Sequence, residues 1–82
     1  MLMTQASVLA QLQSVFDDVF LDKVTVTADL TAKDVAEWDS LIHITLILAV
    51  ENRFGIRFRA GEIEATHNVG DLANLILKRM PS

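Results

Sequence analysis

Trp38-Asp39-Ser40-Leu41 runs directly into Ile42-His43-Ile44-Thr45-Leu46-Ile47-Leu48-Ala49-Val50, and the rest of the chain is read outward from this stretch. A short polar side chain ahead of a long helical pattern is a capping signal. The Asp39 carboxylate can accept a first-turn N–H, which leaves Ser40 at the helix entrance, where backbone N–H groups lack intrahelical partners. The positive end of the helix dipole favours negative charge there by roughly 0.3–1 kcal/mol, so a phosphate on the Ser40 hydroxyl would be well placed. The helix is expected over Ser40 to Phe54, with Gly55 supplying the left-handed residue that ends it. Leu46, Ile47, Val50 and Phe54 are expected to face the core. The apolar run is longer than one buried stripe needs, so part of the set Leu41, Ile42, Ile44 and Leu48 should flank Ser40 on the exposed side.

Upstream, Val8, Leu12, Val15, Phe16 and Val19 recur at intervals of three and four, which predicts a first helix with Thr4 or Ser7 as its cap. Leu21 to Trp38 has no sustained period. In so short a chain such a segment is either functional or held by its own side chains, as in an Ω-loop, and Val26, Leu30 and Trp38 are the expected pins. The β-branched Val24-Thr25-Val26-Thr27 suggests a strand, but no second segment is available to pair with it. Downstream, Phe54, Ile56 and Phe58 alternate with Gly55 and Arg57, as an extended link that turns apolar side chains inward. Glu62-Ile63-Glu64-Ala65 is long enough for one short helical turn between Gly61 and Thr66-His67-Asn68. The last helix is capped by Asn68 with Asp71 at capping-box spacing, and Val69, Leu72, Ala73, Ile76 and Met80 form its inward face. Gly70 should weaken its first turn by up to about 1 kcal/mol relative to alanine. Lys78 and Arg79 suit the negative end of its dipole, and Pro81 should stop it. The fold expected is all-α: a small bundle of three main helices plus one short helix, with a long loop between the first two.

Composition bounds the function. The 82 residues suffice for one domain, 1–82, and a chain this short buries only about 60–65% of the surface exposed when unfolded. The formal charge of −4 argues against nucleic-acid or anionic-membrane partners, which are bound through clustered Lys and Arg. With no cysteine, disulfides, protein thiolates and cysteine metal sites are excluded. Met1-Leu2-Met3-Thr4-Gln5 has neither the charged region nor the apolar run of a leader, and a cytoplasmic monomer is expected.

At Asp39-Ser40-Leu41 the chain resembles the acyl carrier proteins and their peptidyl-carrier relatives. The resemblance extends over nearly the whole chain, through the order of elements, Ala49 and Glu51 within the second helix, Phe54 at its end and the Phe54-Gly55-Ile56-Arg57-Phe58 link. It implies that Ser40 carries 4′-phosphopantetheine and that the arm's thiol holds acyl or aminoacyl groups as thioesters. Asp39 would then help a phosphopantetheinyl transferase hold its magnesium. Enzymes that load the cargo, and the synthases or transferases that use it, would read the second helix. Partner contact is thereby expected at Asp39, Leu41, Ile42, Thr45, Leu48, Glu51 and Ile63, and a sheltered acyl chain would lie nearest Leu48, Ile63 and Thr66. The protein itself would catalyse nothing. Where fatty-acid carriers place acids, this chain has Ile42, Thr45, Asn52 and Arg53, and its short helix is preceded by Arg57, Arg59, Ala60 and Gly61. Together with the Trp-Asp-Ser-Leu form, this looks like the free-standing carriers of specialised pathways such as polyketide, peptide or modified-sugar biosynthesis.

Other readings of the same residues are weaker. Ser40 with His43 three residues on suggests a hydrolase pair, but Asp39 is badly placed to orient His43. His67 and His43 without cysteines or a shared spacing make no recognisable metal site. A non-covalent helical interaction module anchored on Ile42 and Leu48 is the alternative function. A helix-turn-helix reader is disfavoured by the acidic balance.

Overall fold

Three helices form where the apolar spacing placed them: α1 (Gln5–Val19), α2 (Ser40–Phe54) and α3 (Val69–Arg79). They are seen in a computed structural model that describes residues 3–59 and 61–80. The expectations for Met1, Leu2, Ala60 and Pro81 lie outside the described residues. α1 packs against both other helices. Val8, Leu12 and Phe16 of α1, Leu46 and Val50 of α2, and Val69, Ala73 and Ile76 of α3 are buried in one core. Among the described residues there is no strand, and no helix is long and apolar enough to cross a membrane.

The caps follow local chemistry. Thr4, not Ser7, caps α1: its hydroxyl oxygen accepts the Ser7 N–H at 3.2 Å. Asp39 accepts the Ile42 N–H at 2.9 Å, and Gly55, at φ 66°, closes α2 in the left-handed conformation. Asn68 accepts the Asp71 N–H at 2.8 Å, but the reciprocal bond goes one residue further out, from the His67 N–H to the Asp71 carboxylate at 3.0 Å.

The long loop is pinned more fully than its apolar residues foretold. Val26, Leu30 and Trp38 pack against the core as expected, while Val24 is buried and is the deepest pin. The Val24–Val26 segment is extended without being a strand, because a side chain takes the place of a neighbouring strand. The Gln13 amide donates to the Val24 carbonyl at 2.7 Å and accepts the Val26 N–H at 2.9 Å. Near the loop's end Thr31 and Asp34 form a capping box on a 3₁₀ turn, Ala32–Asp34. The Glu37 carboxylate accepts the N–H groups of Leu21 and Asp22 at 2.8 and 3.2 Å, tying the loop's two ends together.

The short helix expected at Glu62–Ala65 is instead a pair of tight turns. The Ala65 N–H reaches the Glu62 carbonyl at 3.3 Å and the Thr66 N–H reaches Ile63 at 3.0 Å, with no longer-range helical bond. So short a segment forms too few backbone bonds to recover the cost of nucleating a helical turn. Glu62 accepts the Arg59 N–H at 2.6 Å and pairs with the Arg79 guanidinium, both side chains being mostly buried. Arg79 is therefore held by a carboxylate in addition to sitting at the negative end of α3. Its guanidinium, with the Arg59 N–H, keeps the Glu62 carboxyl below its ordinary range.

Candidate functional site

Ser40 is the first residue of α2 and is exposed. Asp39 satisfies the Ile42 N–H and its carbonyl accepts the His43 N–H at 2.9 Å. The N–H groups of Ser40 and Leu41 have no hydrogen-bond partner among the described residues, so the helix presents two free donors next to the serine hydroxyl. Hydroxyl, free donors and dipole together suit a phosphodiester oxygen. An open groove bordered by Ala32, Trp38, Asp39, His43 and Ile44 leads away from this point.

Trp38 and His43 form the inner wall of that groove. The indole N–H donates to His43 Nδ1 at 3.1 Å. The ring centroids are 6.1 Å apart with 25° between the planes. The indole also packs edge-on against Phe16 and Phe20 at 5.4 and 5.7 Å. Trp38 thus anchors the loop, as its bulk suggested. With Nδ1 occupied as an acceptor, the neutral imidazole carries its proton on Nε2. The indole, not a carboxylate, orients His43, which removes the third member a Ser-His hydrolase would require.

Behind the wall lies an apolar cavity of about 90 Å³, lined by Leu30, Trp38, His43, Ile47, Thr66 and Leu72 among others. The shelter expected near Leu48, Ile63 and Thr66 is met only at Thr66. α2 is turned so that His43 and Ile47 face the loop and α3, while Leu48 looks outward at 55% exposure and Ile63 packs on the core. Ala32, Trp38 and His43 line both spaces, so the groove beside Ser40 and the cavity share one wall. His67 also borders the cavity, and no group of three or more metal-binding side chains gathers among the described residues.

The remaining expected contact residues divide. Leu41, Ile44 and Leu48 are exposed at 73, 59 and 55%, forming an apolar strip along α2. Ile42, one of the set of which part was expected on the exposed side, is half-buried and packs against the core. Thr45 is exposed, its hydroxyl donating to the Leu41 carbonyl at 3.2 Å. Glu51 is half-buried and accepts the Phe58 N–H at 2.9 Å, so it fastens the extended link to α2. The cavity-lining His43 and Ile47 were not foreseen. Their spacing from Ser40 identified them as helical, but nothing local fixed which side the loop would cover.

No protein-family model matches the sequence, and no curated protein sequence matches it. Among solved structures, the chain is similar to the solution NMR structure of a holo acyl carrier protein from Geobacter metallireducens. The two are 38% identical with a TM-score of 0.72, over 93% of this chain and 84% of the other.

Proposed function

This chain belongs to the acyl carrier protein family, and from that premise we propose that it carries acyl or aminoacyl intermediates as thioesters on a phosphopantetheine arm esterified to Ser40. The observation that carries the reading is the exposed Ser40 hydroxyl beside two free N–H groups at the head of α2. The holo state of the relative supports an arm of this kind. When attached, the arm supplies the thiol that this cysteine-free chain lacks. The chain's own part is to hold, orient and present. Asp39 keeps the first turn of α2 formed, and its exposed carboxylate is available to a transferase's magnesium. The Ser40 and Leu41 N–H groups steady the phosphodiester. The groove along Trp38 and His43 directs the arm over an apolar surface. The cavity is smaller than the roughly 150 Å³ that admits a benzene, so its about 90 Å³ suits a short apolar group and excludes a long chain unless the loop moves.

We place the protein as a non-catalytic, cytoplasmic, single-domain carrier. It would be modified by a phosphopantetheinyl transferase and read by a loading enzyme and downstream synthases of a specialised pathway. The strip of Leu41, Ile44 and Leu48 is the contact surface this reading assigns to them, with Thr45 beside it. The test is direct. The purified chain is incubated with coenzyme A, magnesium and a broad-specificity phosphopantetheinyl transferase and then weighed. A gain of one phosphopantetheine, absent in Ser40→Ala, is expected. An unchanged mass would overturn carriage and leave the exposed strip to a non-covalent interaction module.

A further inference from the structure

Charge is unevenly divided along this chain. Up to Asn52 there are eight acidic residues and two lysines, whereas from Arg53 onward there are five cations and three acids, including all four arginines. Arg79 is occupied by Glu62. Arg57 and Arg59 are not: both are exposed, and neither guanidinium has an ion pair or hydrogen bond among the described residues. They alternate with Ile56 and Phe58, which turn into the core, so the extended link presents two cations on its outer edge.

The link's position gives these cations a context. Glu51 follows Leu48 by three residues on the same side of α2 and accepts the Phe58 N–H at 2.9 Å. That bond lays the link against the C-terminal end of the exposed strip, with Arg57 and Arg59 on either side of the bonded residue. A guanidinium offers a planar fork of donors that matches a carboxylate.

We infer that this edge docks a protein surface bearing an apolar ridge bordered by carboxylates, Leu41, Ile44 and Leu48 taking the ridge and Arg57 and Arg59 the acids. This is the opposite polarity to the basic partner that a net charge of −4 would select. An anionic lipid surface is the poorer occupant, since polybasic attachment draws on clusters of about four to eight cations, and eight acids lie on the preceding part of the chain. The surface does not depend on Ser40 being modified, so its test is separate from that of carriage.

The experiment uses the whole unmodified chain and two synthetic amphipathic helical peptides with the same leucine ridge, one bordered by glutamates and the other by lysines. Affinities are read by titration calorimetry or amide chemical shifts. The glutamate peptide should bind about two- to thirtyfold more tightly, the span two exposed ion pairs supply, and should shift amides of α2 and residues 56–59. Arg57→Glu with Arg59→Glu should reverse the preference, and Arg57→Gln with Arg59→Gln should erase it, with helical circular dichroism unchanged in both. Equal or tighter binding of the lysine peptide, a preference that survives the double substitutions, or binding of neither peptide would overturn the inference. So would binding to phosphatidylserine vesicles in preference to both peptides.

Discussion

Replacing Gly70 by alanine sets local helix propensity against tertiary packing, and the two predict opposite signs. Gly70 is in the first turn of α3, where alanine is favoured by up to about 1 kcal/mol. In the fold, however, an added Cβ would meet the Ala28 carbonyl oxygen at 2.8 Å and the Ala28 Cβ at 3.1 Å. The oxygen belongs to backbone that cannot swing aside alone. It accepts the Gly70 N–H at 2.7 Å, and two residues on the Leu30 carbonyl accepts the Val69 N–H at 2.9 Å. Relieving the contact means moving the loop off α3. Overpacking of this kind costs about 1–3 kcal/mol, and weakening two hydrogen bonds adds about 0.5–1.5 kcal/mol each. Set against the propensity gain, a net loss of about 2 kcal/mol is expected. In a domain of this size that lowers the melting temperature by roughly 8–16 °C. Urea unfolding should show a lower midpoint with unchanged slope, and amide exchange should quicken at Val69 and Gly70 first. A Gly70→Ala variant as stable as the parent, or more so, would refute the reasoning and show that the loop does not press on α3.

Ser40→Ala should abolish attachment of the arm while leaving the melting temperature within a few degrees, because an exposed first-turn hydroxyl contributes little to stability; a large loss would make Ser40 structural. Trp38→Ala should destabilise by about 2–3 kcal/mol, toward the lower end for a buried aromatic because the indole is only half-buried. Its parent fluorescence should be blue-shifted and resist quenching, and a red, fully quenched emission would sink the anchoring role. Glu62 has its carboxyl held below its ordinary 4.5, chiefly by Arg79. Its contribution is therefore complete above that value and is lost as pH falls through the lowered one, so Glu62→Gln should flatten the acid limb of the stability profile measured by urea midpoints, and an unchanged limb would contradict the pairing. Leu48→Asp should slow cargo loading by a cognate enzyme without unfolding the chain, while Ile42→Asp should lower the melting temperature because Ile42 packs on the core; loading that is unaffected by Leu48→Asp would remove the strip from recognition.

The residues at the N-terminal end of α2 were legible because their chemistry is short-range. Asp39 reaches an N–H three residues away, Gly55 adopts a conformation its own backbone permits, and the apolar period of α1 and α3 requires only a neighbouring surface to bury against. Ser40 at the head of a helix followed from these alone. What the tertiary structure decided depends on groups far apart in the chain. Gln13 stands in for a strand beside Val24 and Val26, a role its position in an amphipathic helix does not announce. Glu62 bonds Arg59 and Arg79, partners three and seventeen residues away, and its segment stays a set of tight turns because one turn of helix does not recover its nucleation cost. The side on which the loop crosses α2 fixed the roles of Ile42, Ile47 and Leu48. With apolar residues at almost every position of that helix, periodicity could not choose which faced the loop. Gly70 is the clearest case. Its local chemistry made it a weak helix residue, and only the approach of the Ala28 carbonyl explains why no side chain fits there.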